Sequence, residues 1–121
     1  MLIRIKRVHE ASGRSDSTRI LVDRLWPRGL NREKADIHFW ARDIAPTEEL
    51  RKWYNHEPGK WQEFRDRYFP ERNASSEAIP EFQRHLRGRV VTLLFSSREL
   101  NFNNAVALKE YIGKRLQHDD S

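Results

Sequence analysis

The sequence predicts one small α/β domain spanning residues 1–121, with a mainly parallel sheet of three to four strands covered by about four helices. Two strongly apolar runs, residues 19–25 and 90–95, have the composition of buried strands. The chain between them carries amphipathic helical patterns, which indicate a crossover connection. A crossover of this length is typical of parallel strands joined in the right-handed sense.

The first predicted strand covers residues 2–8. Its apolar residues Ile3 and Ile5 alternate with the charged residues Arg4 and Lys6, as expected for a half-buried strand close to a sheet edge. The glycine, serine and aspartate residues that follow predict a loop.

The second predicted strand, residues 19–25, is stopped by Pro27 and Gly29. Beyond it, the side chain of Asn31 is placed to cap a turn that runs to Lys34. The segment that follows, up to a proline at position 46, carries three large apolar residues that require burial: Ile37, Phe39 and Trp40.

A first helix is predicted after that proline. Thr47 occupies an N-cap position, and acidic residues in the first turn suit the helix dipole. Leu50, Trp53 and Tyr54 then share one face of the helix, which is expected to end near residues 55–56.

A second helix is predicted over residues 60–69, and Pro70 is expected to end it. The polar residues that follow this proline, as far as position 78, predict a connector. One helical layer of four aromatic residues is expected to be buried against the sheet: Trp53, Trp61, Phe64 and Tyr68.

The last third of the chain predicts a helix, a strand and a helix. Pro80 suits the first turn of the third helix, and Gly88 suits its end. Residues 90–95 predict a strand buried on both faces. Asn103 or Asn104 can cap the final helix. Its inward face is Ala105, Leu108, Ile112 and Leu116.

The composition limits the classes of function. Apolar residues make up 37% of the chain and charged residues 34%, and the aromatic content argues against disorder. The absence of cysteine excludes disulfides, thiol catalysis and thiolate metal sites. With no long apolar stretch and a charged N-terminus, we expect a cytoplasmic protein without a membrane partner. The net charge of +5 and a pI of about 9.9 weakly favour acidic partners.

Because parallel strands end at the same edge of a sheet, the loops at residues 23–29 and 96–102 should meet there, where ligands bind in open α/β sheets. Guanidinium groups and helix N-termini both recognise anions. The candidate ligand-binding residues are Arg24, Trp26, Arg28, Arg51, Ser96, Arg98 and Asn103. The competing interpretation is that Asp23 and its neighbouring arginines only fix the loop to adjacent helices, and that most tryptophans are core residues.

For catalysis, the candidates for proton transfer are Asp23 and His56. Equally, His56 can serve only to close its turn through a hydrogen bond. The five histidines contain no i, i+4 pair, so no metal site is expected. The chain has neither a glycine-rich phosphate loop nor a nucleophile elbow, so no cofactor is expected. Enzymatic and purely binding roles both stay open.

The segment of residues 21–29, LVDRLWPRG, resembles the signature of the YeaO-like family of uncharacterised bacterial proteins, a domain of unknown function. The similarity continues over nearly the whole chain, including Trp40, Ala45-Pro46, the LRKWY segment at 50–54, Trp61 and residues 91–95. It implies a bacterial source and supports the α/β fold and the position of the pocket. Relatives commonly carry His-Asn before the last helix, where this chain has Phe102 and Asn103. The resemblance thus implies that any chemistry of that histidine is lost here.

The leading interpretation is a pocket for an anionic small molecule such as a phosphate, a nucleotide or a carboxylate. The alternative is a nucleic-acid-binding or regulatory accessory protein, with Trp26 stacking on bases and a basic surface contacting phosphates. A third interpretation is a structural or partner-binding protein. Arginines converging on a concave pocket would favour the small ligand, and a broad basic stripe would favour nucleic acid. The sequence does not indicate an oligomeric state.

Overall fold

The computed structural model describes residues 1–55, 57–74 and 77–116, with only the backbone at residues 74, 115 and 116. Four strands form one parallel sheet in the order β1-β4-β2-β3. The strands are β1 (Leu2–Arg7), β2 (Thr18–Leu21), β3 (Phe39–Trp40) and β4 (Val90–Phe95). The predicted fold class is confirmed, with β1 at an edge and β4 inside the sheet.

The helices are α1 (Glu48–Tyr54), α2 (Trp61–Ala74), α3 (Ala78–Arg84) and α4 (Asn104–Tyr111), which continues into a π-helical turn at Ile112–Leu116. Short 3₁₀ turns lie at Arg14–Asp16, Arg42–Ile44 and Pro58–Lys60. None of the helices in the described ranges combines the length and the apolar character needed to cross a membrane.

The four helices all pack on one face of the sheet. In the strand register, Ile5, Leu93, Ile20 and Phe39 are neighbours across the four strands, so their side chains point to the same face. They belong to a single apolar core that also contains buried residues from every helix: Leu50, Phe64, Phe82 and Leu108. We call this face the helix face.

The opposite face, here called the loop face, is covered by the loops after β1 and β2. The buried residues Val8, Leu21 and Leu94 form a small apolar cluster with Trp26 and Trp40. Parallel sheets are usually covered by helices on both faces. In this protein, the loop that leaves β2 folds back over the sheet and takes that place.

The expected end of the second helix at Pro70 is wrong, because α2 continues to Ala74 with this proline inside it. A proline within a helix costs about 3 kcal/mol. The turn beyond it is held by tertiary contacts: Arg72 donates to the backbone O of Asp43 at 2.9 Å, and the Glu71 carboxylate accepts from Thr47 Oγ1 at 2.6 Å. The first half of the expected connector is therefore helical.

The end of β2 and the existence of β3 also differ from expectation. β2 ends at Leu21 rather than at residue 25, because only the backbone N of Val22 still reaches the O of Leu94, at 3.0 Å, before the chain turns. β3 has no alternating pattern to predict it. It forms because the backbone of residues 38–41 bonds to that of Arg19 and Leu21.

The aromatic layer is buried only in part. Phe64 and Tyr68 are buried as expected, whereas Trp53 and Trp61 lie at the edge of the core and are half-buried. Lys60 and Arg67 cover the ring of Trp53, with cation-to-centroid distances of 5.0 and 4.3 Å.

Candidate functional site

A cavity of about 290 Å³ opens at the carboxyl edge of the sheet, where β2 and β4 end. Its walls come from the loops after these strands, from α1 and the segment before it, from α2 and from the start of α4. The residues selected from the sequence that line it are Asp23, Arg24, Trp26, Arg28, Arg51, Ser96 and Asn103. The expectation that the two loops meet at this edge is therefore confirmed.

Asp23 ties the two loops together. One carboxylate oxygen, Oδ2, accepts hydrogen bonds from the backbone N and from Oγ of Ser96, at 3.0 and 2.6 Å. The other, Oδ1, accepts from Nδ2 of Asn104 at 3.0 Å. The backbone O of Asp23 accepts from Nε1 of Trp40 at 2.7 Å. Because both carboxylate oxygens are engaged by protein donors, Asp23 fixes the geometry of the cavity.

The three arginines at the cavity have different surroundings. Nε and NH2 of Arg24 each donate, at 3.1 Å, to the backbone O atoms of Pro46 and Ala45, which holds the segment before α1. Arg28 is exposed, and its guanidinium has no partner among the described residues. The side chain of Arg51 is 49% exposed, and its NH2 lies 4.0 Å from a carboxylate oxygen one helical turn earlier. Arg28 and Arg51 therefore keep their hydrogen-bond donors available at the mouth of the cavity.

Trp26 is half-buried and forms part of the cavity wall. Its Nε1 donates to the backbone O of Leu30 at 2.9 Å, which closes the loop after β2 on itself. Its ring meets Trp40 edge to face at 5.4 Å, and the guanidinium carbon of Arg32 lies 4.4 Å from its centroid. The Trp26 ring therefore belongs both to the cavity wall and to the apolar cluster on the loop face.

The start of α4 is capped by Asn103. Its Oδ1 accepts from the backbone N of Val106 at 3.0 Å, and its Nδ2 donates to the backbone O of Glu99 at 2.8 Å. Of the two asparagines that could cap this helix, Asn103 does so, while Asn104 bonds to Asp23. Both side chains are fixed by contacts within the protein.

Tyr54 closes the inner side of the cavity from α1. Burial, reinforced by the charge of Glu99, raises the pKa of its hydroxyl above the ordinary value. The hydroxyl donates to the backbone O of Phe102 at 2.8 Å. The ring of Phe102 packs against Trp61, with the centroids 5.5 Å apart, and is not part of the cavity lining.

Two candidates are not brought to the cavity. Arg98 is exposed on the loop after β4 and does not line it. His56 lies outside the described residues. Within the described ranges, no group of three or more histidine, aspartate or glutamate side chains is placed to hold a metal ion.

Seven further lining residues were not predicted from the sequence: Leu25, Pro27, Ala45, Pro46, Tyr54, Phe64 and Asn104. Leu25 and Pro27 lie inside the signature segment, so their position in the first loop was a usable signal. Tyr54 and Phe64 could be assigned only to helix faces, because their place at the sheet edge depends on where α1 and α2 cross the sheet.

The sequence is similar to two uncharacterised proteins over almost its full length. It is 38% identical over 114 residues to the uncharacterised protein Rv3073c of Mycobacterium tuberculosis H37Rv, covering 93% of this chain and 95% of the relative. It is 33% identical over 112 residues to the uncharacterised protein YeaO of Escherichia coli K12, covering 93% of this chain and 97% of the relative. No solved structure shows significant similarity to it.

The YeaO relative confirms the resemblance seen in the signature segment. A family model described as the inactive DUF488-N3 subclade matches residues 2–121. The chain therefore belongs to the inactive DUF488-N3 subclade.

Proposed function

We propose that this protein binds an anionic small molecule in the cavity at the carboxyl edge of the sheet, and that it binds this molecule without transforming it. The observation that carries the proposal is which of the charged side chains lining the cavity already have hydrogen-bond partners within the protein. Arg28 and Arg51 have available guanidinium donors, whereas the carboxylate of Asp23 is occupied by three hydrogen bonds. The mouth of the cavity is therefore positively charged and open to an anion.

Binding without turnover is supported by the surroundings of Asp23, one of the two candidates for proton transfer. A general base needs an available lone pair within hydrogen-bond reach of substrate, and three protein donors already take three of the four lone-pair positions on the Asp23 carboxylate. At the position where relatives commonly carry a histidine, the ring of Phe102 packs on Trp61. The description of the family as an inactive subclade agrees with such a role.

A small ligand is favoured over nucleic acid by where the arginines lie. Three arginines line one concave cavity of about 290 Å³, which matches the small end of ligand pockets. Arg32 and Trp40 cover part of the Trp26 ring, and the part that remains open lines the concave cavity, so the ring is not an exposed platform on which successive bases could stack.

The test is a calorimetric titration of the full chain with inorganic phosphate and with a nucleoside monophosphate at low salt. Arg28→Ala should weaken binding about 10- to 100-fold, because one charge-assisted hydrogen bond contributes about 1.5–3 kcal/mol. The variant should keep its unfolding free energy within about 0.5 kcal/mol, since the guanidinium has no partner in the part of the chain that the structure describes.

The matched control is Arg89→Ala, an equally charged and exposed arginine at the amino end of β4, which should leave binding unchanged. Equal losses in the two variants would indicate a general charge effect and contradict the proposed site. Tight, salt-dependent binding to single-stranded oligonucleotides with no binding of phosphate would contradict it in favour of the nucleic-acid alternative.

A further inference from the structure

The uncharged polar side chains Ser96, Asn103 and Asn104 in the cavity already have partners within the protein. Nδ2 of Asn104 donates to the backbone O of Val22 and to Asp23, both at 3.0 Å. Nδ2 of Asn103 donates to a backbone O at 2.8 Å, and the Ser96 hydroxyl donates to Asp23 at 2.6 Å. A site that recognises the hydroxyls of a sugar needs donors and acceptors aimed at them. These side chains are committed to holding the two loops together instead.

The walls between these groups are apolar. Phe64 and Tyr54 form the buried inner side, and Trp26 and Pro46 stand nearer the loops. Leu25 also lines the cavity, although 65% of its surface is exposed. A single exposed leucine is ordinary on a protein surface. A leucine that remains exposed at the mouth of an apolar cavity offers surface that a bound molecule can cover.

We infer that the ligand is an aromatic anion, with a planar apolar body between these walls and a phosphate or carboxylate group at Arg28 and Arg51. The inference rests on the proposed function, because it assigns the chemical class of the molecule that the same cavity binds. The apolar body would gain by leaving water, whereas a polar body of equal charge would lose hydrogen bonds that the cavity does not replace.

The test compares two phosphate monoesters that carry the same anionic group on different bodies. Titration of the full chain with phenyl phosphate and with glycerol phosphate should give at least a tenfold lower Kd for phenyl phosphate. Inorganic phosphate should bind about as weakly as glycerol phosphate. Leu25→Ser should weaken binding of phenyl phosphate several-fold and leave the affinity for glycerol phosphate unchanged. The control is Leu100→Ser, which changes a leucine of similar exposure, 62%, that does not line the cavity.

The outcomes distinguish failure of the anion site from failure of the aromatic body of the ligand. Equal affinities for the two esters, with both weakened by Arg28→Ala, would overturn the aromatic body and leave the anion site standing. Binding of phenyl phosphate that is insensitive to Arg28→Ala would overturn the anion site itself. An equal loss in Leu25→Ser and Leu100→Ser would overturn the assignment of Leu25 to the mouth of the cavity.

Discussion

The two faces of the sheet are built from different kinds of side chain. Toward the helices, the buried strand positions are apolar, such as Ile20 and Leu93, and polar residues occur on this face only at strand ends, at Arg7 and Thr18. Toward the loops, the neighbouring positions include Arg19, which is 2% exposed and pairs with Asp16. Its guanidinium also donates to the backbone O atoms of Ala35 and Asp36, at 3.0 and 2.8 Å.

This difference follows from what covers each face. A helix satisfies its own backbone hydrogen bonds and can offer a purely apolar stripe to the sheet. A loop brings backbone carbonyl groups that need donors when they are buried. The buried arginine supplies those donors, and its charge is balanced by Asp16, which Lys6 also contacts at 3.0 Å. The loop face is therefore held by polar contacts that depend on particular side chains.

The largest effect is expected from removing the centre of that polar network. Arg19→Ala should cost about 3–5 kcal/mol of unfolding free energy, because it leaves two buried carbonyl groups without their guanidinium donor and removes one of the cations that pair with the buried Asp16 carboxylate. Arg4 provides the control: it is exposed and points to the same face from β1, and Arg4→Ala should change stability by less than about 0.5 kcal/mol. Urea unfolding of both variants measures this difference. Similar small losses in both would mean that the loop face is held by apolar contacts alone.

Two adjacent leucines on β4 compare the packing of the faces directly. Leu93 points to the helix face and Leu94 to the loop face, and both are fully buried. Leu93→Ala should cost about 4–5 kcal/mol, since the helices cannot easily close the cavity left behind. Leu94→Ala should cost about 2–3 kcal/mol, because loops relax more readily into the space. If Leu94→Ala proves equally costly in chemical denaturation, the loop cover is as rigid as the helical layer.

The same contrast explains which parts of the fold could be predicted. Hydrophobic patterns report apolar burial, so the strands at 2–7 and 90–95 and the apolar faces of the helices were predicted close to their observed positions. The loop cover was not, because Asp16 and Arg19 are ordinary surface residues in any pattern of hydropathy. The course of α2 past Pro70 was missed for a related reason, since tertiary contacts beyond the proline maintain the helix.

At the candidate site too, the sequence predicted which segments meet but not which polar contacts single residues make. The parallel crossover was enough to predict that the loops at Asp23 and Ser96 meet. It could not distinguish Arg24, which donates to backbone carbonyl groups, from Arg28, whose guanidinium has no partner within the described ranges. Both arginines occupy the same short motif. Which of them donates its hydrogen bonds to the protein backbone depends on the path of the segment before α1.

The smallest effect tests the charge state of the loop face. Burial of the Asp16 carboxyl opposes its ionisation, but hydrogen bonds from Lys6, from the Gly13 amide and from Arg19 outweigh burial and lower its pKa below the ordinary 3.8. A carboxyl with a lowered pKa in the folded state stabilises the protein above the unfolded-state pKa, and this contribution is lost as pH falls through the folded-state pKa.

The stability gap, meaning the difference in unfolding free energy between the native chain and Asp16→Asn, should therefore be constant from pH 7 to about pH 5 and should narrow below about pH 4. The gap should narrow less in a Lys6→Met background, where one of the hydrogen bonds that favour the carboxylate is absent. Urea unfolding at several pH values in both backgrounds measures the gap. A gap that stays constant down to pH 3 would show that the ionised carboxylate contributes nothing specific to the loop face.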